Sequence, residues 1–426
     1  MAKPKLALIP AAIGTKLYSV LPSDGSGDFT FTRGSAATRI NAQGLIESVA
    51  NTSSRLNYPL LDGKVVGCPH NLLEPQRTNV VQYSENFSSG WVLDDATIIS
   101  NNAISPDGTL NATLLKGNTN SSRHNLVISG QASSTGSFSV FVKAKELKYV
   151  QIASANTVQQ YVNFDLSNGI IGTVGSSFSN AKLENYGNGW YRCIVVSANQ
   201  FNGFHFSLVS GLNATWLESW VMPNNTDGLY IFGAQLEVGS FPTSYIKSNI
   251  GNATTRLAEV ATGAGNSTTF NNSRGVFMAE LSSLTNNNPL FNSLSIASGT
   301  TNVLSIGFSD TLNELYVFKT NGGASWFVKV LINDITNFNK IALSYESSDN
   351  QFWINGFKIE INNSIGVHPS AMSDMDFNAA VGNEFMYSKT KQIQYFDSAL
   401  TDTQLEQLTS WQSFSDMAEG QLYTIE

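Results

Sequence analysis

The chain has 426 residues, a net charge of −8 at pH 7 and only 13% charged residues, about half the share usual in soluble globular proteins. Its polarity comes from 44 Asn, 52 Ser and 32 Thr, which favour turns and caps over helix interiors, while 42% hydrophobic content and 34 Gly argue for packed strands rather than disorder or coiled coil. The length exceeds what one core usually serves, and 24 scattered Lys and Arg at a pI near 5.1 exclude a phosphate-tracking nucleic-acid surface.

From the N-terminus, MAKPK followed by LALIPAAIG imitates a signal peptide, but Pro10 interrupts the apolar run and GTKLYSVLPSDGSG reads as strand and turn. No stretch approaches the roughly 18 apolar residues of a membrane helix, so membrane insertion is not expected. Residues 1–80 carry a basic, Pro-interrupted pattern with too little apolar content for a good core of their own. They are expected to be extended and buried against copies of themselves or another protein, most simply around a three-fold axis. A strand series follows over 81–248. Phe138, Val140 and Val142 alternate with Ser137, Ser139 and Lys143, the pattern of a half-buried strand. The Gly-, Asn- and Thr-rich stretch 249–273 reads as a linker that few contacts should cross, leaving each side to fold alone. A second series spans 274–412, with Ile341, Leu343 and Tyr345 on one face, and 413–426 is left as a tail. Nine Asn-Gly or Asp-Gly pairs punctuate the chain, and this pair tolerates the positive φ of tight hairpin turns. Hairpins are expected at Asn168, Asn188 and Asn355. The one helix expected is 401–411, because TDTQ matches a capping box before Leu405, Leu408 and Trp411. The reading is all-β: tandem antiparallel sandwiches behind an extended N-terminal segment.

Catalytic signatures are missing. HExxH, the GxSxG elbow, the P-loop and a strand-coupled GxGxxG do not occur. His70, His124, His205 and His368 lie far apart in sequence, although triad members need not be neighbours. Glycosidases need two carboxylates across the scissile bond, and the ExDxxE pattern of concanavalin-like glucanases is absent. Asp374 and Asp376 in SDMDF form the nearest acidic pair, read as a loop pair or a structural cation site. No cofactor is expected, and any metal site is left unassigned. Cys68 and Cys193 are too few for a disulfide framework or a zinc site and are expected to be reduced thiols. Aromatic residues among Asn-rich loops remain as glycan-stacking candidates: Trp216 and Trp220 in NATWLESWVMPNN, and Trp326 after NGGAS. Each competes with the ordinary role of sandwich Trp as core, and Trp190 in NGWYR is assigned to the core.

Three sets of strings carry a resemblance. FTRGSAATRINAQGLIESV (31–49) and NLLEPQRTNVVQYSENF (71–87) resemble the N-terminal region of fibre, spike and other receptor-binding structural proteins of tailed bacteriophages. FDLSNGIIG (164–172), NGWYR (188–192) and FGAQLEVGSFPTSYI (232–246) resemble the jelly-roll modules, related to carbohydrate-binding modules, that follow that region. KIALSYESSDNQFWINGFKI (340–359) and QIQYFDSALTDTQLEQL (392–408) resemble the concanavalin A/laminin-G-like lectin sandwich.

The resemblance implies a virion fibre of head-fibre or tail-fibre type, commonly a homotrimer. It would attach to other virion proteins through residues 1–80 and display two glycan-binding sandwiches to the host surface. It transfers no catalytic residue and no binding residue, because ligand contacts in such folds lie in loops outside the matched strings. The competing readings are a polysaccharide depolymerase and a secreted bacterial carbohydrate-binding adhesin.

Overall fold

The computed structural model describes residues 2–133, 136–154, 160–176, 178–197, 201–248, 251–287, 292–322, 324–346, 349–359, 369–379 and 384–420. Almost all regular structure is antiparallel strand, as the turn-rich composition implies. The first sandwich packs two six-stranded sheets. One runs, in spatial order, Val92–Asp94, His124–Ser133, Phe201–Leu208, Tyr149–Ser154, Tyr161–Asp165 and Ile170–Val174. The other runs Ala96–Ile104, Leu110–Gly117, Gly228–Val238, Gly136–Ala144, Trp190–Ser197 and Phe178–Asn185. Between them lies a core that includes Phe138, Val140 and Val142, the residues picked out by alternation, stacked against Phe204 and Ile152. Asn188 and Asn355 sit at positive φ before a positive-φ glycine, and Asn168 precedes Gly169 at φ +65°. All three lie between paired strands.

The second sandwich opposes a five-stranded sheet (Ala324–Leu331, Glu314–Asn321, Asn302–Phe308, Asn292–Ser298, Asp374–Asp376) to an eleven-stranded one. In the larger sheet, Gly275–Ser283, Asn339–Tyr345 and Ser388–Phe396 are joined by N-terminal strands: Leu6–Ile13 pairs with Ser388–Phe396 and continues into Lys16–Leu21 and Phe29–Thr32. This corrects the expectation that residues 1–80 find their burial on another chain. Leu6, Leu8, Leu17, Phe29 and Phe31 pack into the second sandwich's own core, so a segment too poor in apolar residues for its own core completes someone else's within the same chain. The apolar run that imitates a leader is one of these strands.

The stretch 249–273 also differs from its reading as a linker. Thr254–Arg256 pairs with Arg77–Asn79 and Val260–Thr262 with Phe29–Thr32, while Arg256 and Glu259 are buried. Low hydrophobicity misled here because the segment is held by ion pairs and sheet hydrogen bonds. At the far end, the helix Asp402–Thr409 starts with the expected capping box, Thr401 accepting from the Gln404 N–H at 3.3 Å and Gln404 Oε1 accepting from the Thr401 N–H at 3.0 Å. It lays Leu405 and Leu408 on Met278, Ala342 and Trp353, the outer face of the larger sheet. The tail contains a second short helix, Phe414–Gly420, which the sequence did not announce.

Candidate functional site: an inter-sandwich cleft above a buried ionic joint

Five charged side chains meet where the N-terminal region joins both sandwiches. Glu259 receives Arg33 Nη1 at 2.6 Å, Arg55 Nε at 2.8 Å and the Glu74 N–H at 2.9 Å, and it also accepts from Arg55 Nη2. Glu74 receives Arg55 Nη2 at 2.9 Å, Arg256 Nη1 at 2.8 Å, and the N–H and hydroxyl of Ser244 at 2.8 and 2.6 Å. All four carboxylate oxygens therefore have donors, although these side chains are shut from solvent. Burial opposes the Glu74 carboxylate, but Arg256 and Arg55 outweigh it and hold its pKa well below the ordinary range. The strings 31–49, 71–87 and 232–246 supply Arg33, Glu74 and Ser244, and further ties join them: Thr38 Oγ1 donates to the Tyr245 carbonyl at 2.6 Å, and Asn79 Nδ2 to the Ala234 and Ile246 carbonyls. The residues behind the resemblance thus build a joint.

Beside this joint opens a cleft of about 1170 Å³, somewhat larger than the roughly 300–1,000 Å³ typical of small-ligand pockets. Its floor is the N-terminal region, including Asn57, Tyr58, His70 and Glu74. One wall is the outer face of the first sandwich, where the period-2 rule turns Lys182 and Glu184 outward while Leu183 packs inward. The other wall carries Asn286, Phe338 and Lys389 of the second sandwich. One end is closed by two tight turns in contact. Gly63 is at φ +73°, and a Cβ there would lie 2.4 Å from the Gly187 nitrogen, so a side chain at this approach would force the turns apart.

The wall charges are tuned. Lys182 Nζ lies 2.8 Å from Glu184 Oε1. Burial opposes the Glu184 carboxylate, yet Lys182 and Arg192 prevail and its pKa stays below the ordinary value. Burial, helped by Glu184, pushes the Tyr186 phenol up to about 12. A glycosidase acid must keep its proton near neutral pH, which demands a raised carboxyl pKa; Glu74 and Glu184 are shifted the opposite way. Hydrogen-bonding groups, charges and four tyrosines (Tyr58, Tyr186, Tyr191, Tyr245) line the cleft, and neither Glu74 nor Glu184 is shifted toward keeping its proton.

The three tryptophan candidates lie elsewhere. Trp326 is 5% exposed, packed in the second sandwich core with Lys319 Nζ 4.9 Å from its ring centroid; this corrects the expectation of a glycan contact, since alternation along Ala324–Leu331 turns the ring inward. Trp216 and Trp220 are half-buried, and their indole N–H groups donate to the Ser154 and Leu208 carbonyls. Trp190 is core, as read. Asp374 is exposed, and Asp376 accepts the Gly263 N–H at 2.6 Å; burial and Asp374 raise its pKa. Among the described residues no three His, Cys, Asp or Glu side chains are placed to share a metal ion. His124 and His205 belong to the first sandwich, His70 to the cleft, and His368 lies outside the described residues. The cleft escaped sequence reading because its residues come from three separated regions, and no local spacing marks them.

No family model and no curated protein sequence matches the chain. Among solved structures it is similar to the CBM40 of the Ruminococcus gnavus IT-sialidase bound to α2,3-sialyllactose, at 13% identity and TM-score 0.30, over 35% of this chain and 94% of that one. It is also similar to domain 4 of an extracellular arabinanase from Geobacillus stearothermophilus in complex with arabinotriose (12%, 0.29, 41% and 84%). A third is the LG4-5 domain pair of the mouse laminin α1 chain (10%, 0.24, 67% and 90%).

Proposed function

We propose that this chain is a structural fibre protein of a tailed-phage virion, without catalytic activity, and that the cleft between its sandwiches binds a glycan of the host surface. The observation that carries the reading is that the phage-like strings and the cleft are one construction: Arg33, Glu74 and Ser244 from those strings make the ionic joint, and the joint adjoins the floor of a large polar cleft lined by tyrosines. Exposed Ile9, Val20, Ile104 and Leu110 supply apolar surface for assembly as a homotrimer or against other virion proteins. The test is to label virions with an antibody against the second sandwich, image them, and measure host adsorption in the presence of excess free protein. Label on the particle and competed adsorption are expected. An unlabelled particle sinks the virion role, and uncompeted adsorption sinks the adhesive one.

The competing depolymerase reading requires reducing-sugar release from host polysaccharide. The lowered pKa values of Glu74 and Glu184 weigh against it. A secreted adhesin would show the same binding with no label on particles.

A further inference from the structure

The cleft holds donors that the described chain leaves unmatched. Asn57 fixes one of them. Its Oδ1 accepts the Ile40 N–H at 2.8 Å, so its amide nitrogen is the end facing His70 Nε2 at 3.2 Å, and Nε2 must accept. Burial, with Lys389, Lys391 and Arg55 nearby, holds the His70 pKa well below the ordinary imidazole value. The ring is neutral, and its single proton is on Nδ1. Among the described residues that N–H finds no acceptor, on a side chain only 2% exposed. Arg192 is 4% exposed; its Nη2 donates to Ser139 Oγ and the Thr243 carbonyl, but its Nε–H has no described partner.

Lys389 is the third. It sits beside the strand His70–Leu72, opposite Leu72 in the sheet register, and has no described hydrogen bond or ion pair. Burial and the like charge of Lys182 both depress its pKa. Its neighbour Lys391 is treated differently, 3.7 Å from Glu280 and over the Phe338 ring. In the same cleft Asn286 Oδ1 is an acceptor without a described donor. A buried donor left unmatched costs about 1–3 kcal/mol, so a ligand that matches several at once gains specificity as well as affinity. The complement is one planar anion with two acceptor oxygens, plus a hydroxyl. Glu184 and Glu74, already ionised nearby, oppose a dianion and favour a single negative charge.

We propose that the cleft takes a carboxylate-bearing saccharide, its carboxylate seated among Lys389, His70 Nδ1–H and Arg192 Nε–H and a ring hydroxyl donating to Asn286 Oδ1. The inference rests on the glycan-binding reading above and narrows it to acidic sugars. The experiment is calorimetric titration of the full chain with trigalacturonate and 3′-sialyllactose, against the trigalacturonate methyl ester and lactose as uncharged counterparts. At least one acid binds tenfold or more tighter than its counterpart, and its affinity falls as salt is raised. Lys389→Met weakens the acid at least tenfold, and Lys182→Met, at the exposed rim, weakens it less; both variants keep the parent melting temperature. If the uncharged counterparts bind as tightly, or Lys389→Met leaves acid affinity unchanged, the carboxylate site is refuted while glycan binding stands. Binding of none of the four refutes both.

Discussion

The ionic joint and the cleft use the same kinds of side chain to opposite ends. In the joint, Glu74 and Glu259 are shared among Arg33, Arg55 and Arg256 and no carboxylate oxygen lacks a donor. In the cleft, His70 and Arg192 carry buried donors with no described acceptor, and the partly buried Lys389 makes no described hydrogen bond or ion pair. Removing charges from water costs several kcal/mol each unless geometry recovers it, and the joint recovers it at every carboxylate oxygen, although Arg256 Nε is without a described partner. Burial alone does not separate the two, because His70 and Arg55 are equally hidden.

The sharpest way to break this contrast is to remove one partner from each side. Glu259→Ala leaves Arg33 and Arg55 buried without their acceptor and should cost about 3–5 kcal/mol, read by chemical denaturation, while Lys389→Met should cost nothing. Equal losses would erase the distinction. Next comes the claim that the N-terminal region is scaffold to the second sandwich. Leu8 and Ile393 face each other across the Leu6–Ile13 and Ser388–Phe396 pair, both fully buried. Leu8→Ala should cost about 2–5 kcal/mol, and a double-mutant cycle with Ile393→Ala should show coupling of about 0.5–3 kcal/mol. Additive losses would mean the strand is not packed as described.

A smaller effect is expected at the closed end of the cleft. Gly63→Ala forces a side chain into positive φ against Gly187, costing about 1–3 kcal/mol, and should weaken saccharide binding measurably in the same preparation. The smallest concerns Lys319, which is fully buried, donates to Asn350 Oδ1 at 2.5 Å, and has its pKa pushed down to about 8 by burial. The folded chain then binds fewer protons than the unfolded one between about pH 8 and the ordinary lysine value of about 10.4, so stability rises with pH across that window. Lys319→Met should stabilise the chain at pH 7 by on the order of 1 kcal/mol and flatten the rise; an unchanged slope would show that Lys319 is not its source.

The sequence revealed what local chemistry dictates. Phe138 to Val142 alternate, Asn188 and Asn355 take positive φ before glycine, and Thr401 with Gln404 forms its box, because each depends on residues within a few positions. It concealed what depends on distance. Arg256 and Glu259 lie in a stretch with a loop's composition, and nothing nearby tells that Glu74 will pair with Arg256 and that Arg33 and Arg55 will neutralise Glu259. Trp326 was selected by residue type, whereas its strand's inward phase decided its fate. The cleft was invisible for the same reason: Asn57, Lys182 and Lys389 become neighbours through topology.

The pairing of Leu6–Ile13 with Ser388–Phe396 also sets a timetable. The early strand leaves the ribosome with its hydrogen-bonding edge and Leu6 and Leu8 uncovered, and its partner follows about 375 residues later. At about 5–20 residues per second, that wait is roughly 20 to 75 seconds, during which the first sandwich can finish folding and the N-terminal strands cannot. An open apolar strand edge is a template for neighbouring chains, and several copies made on one messenger would present it together. Polysome crowding, chaperone supply and growth temperature should therefore govern the yield of correctly closed molecules more strongly than the stability of the finished fold.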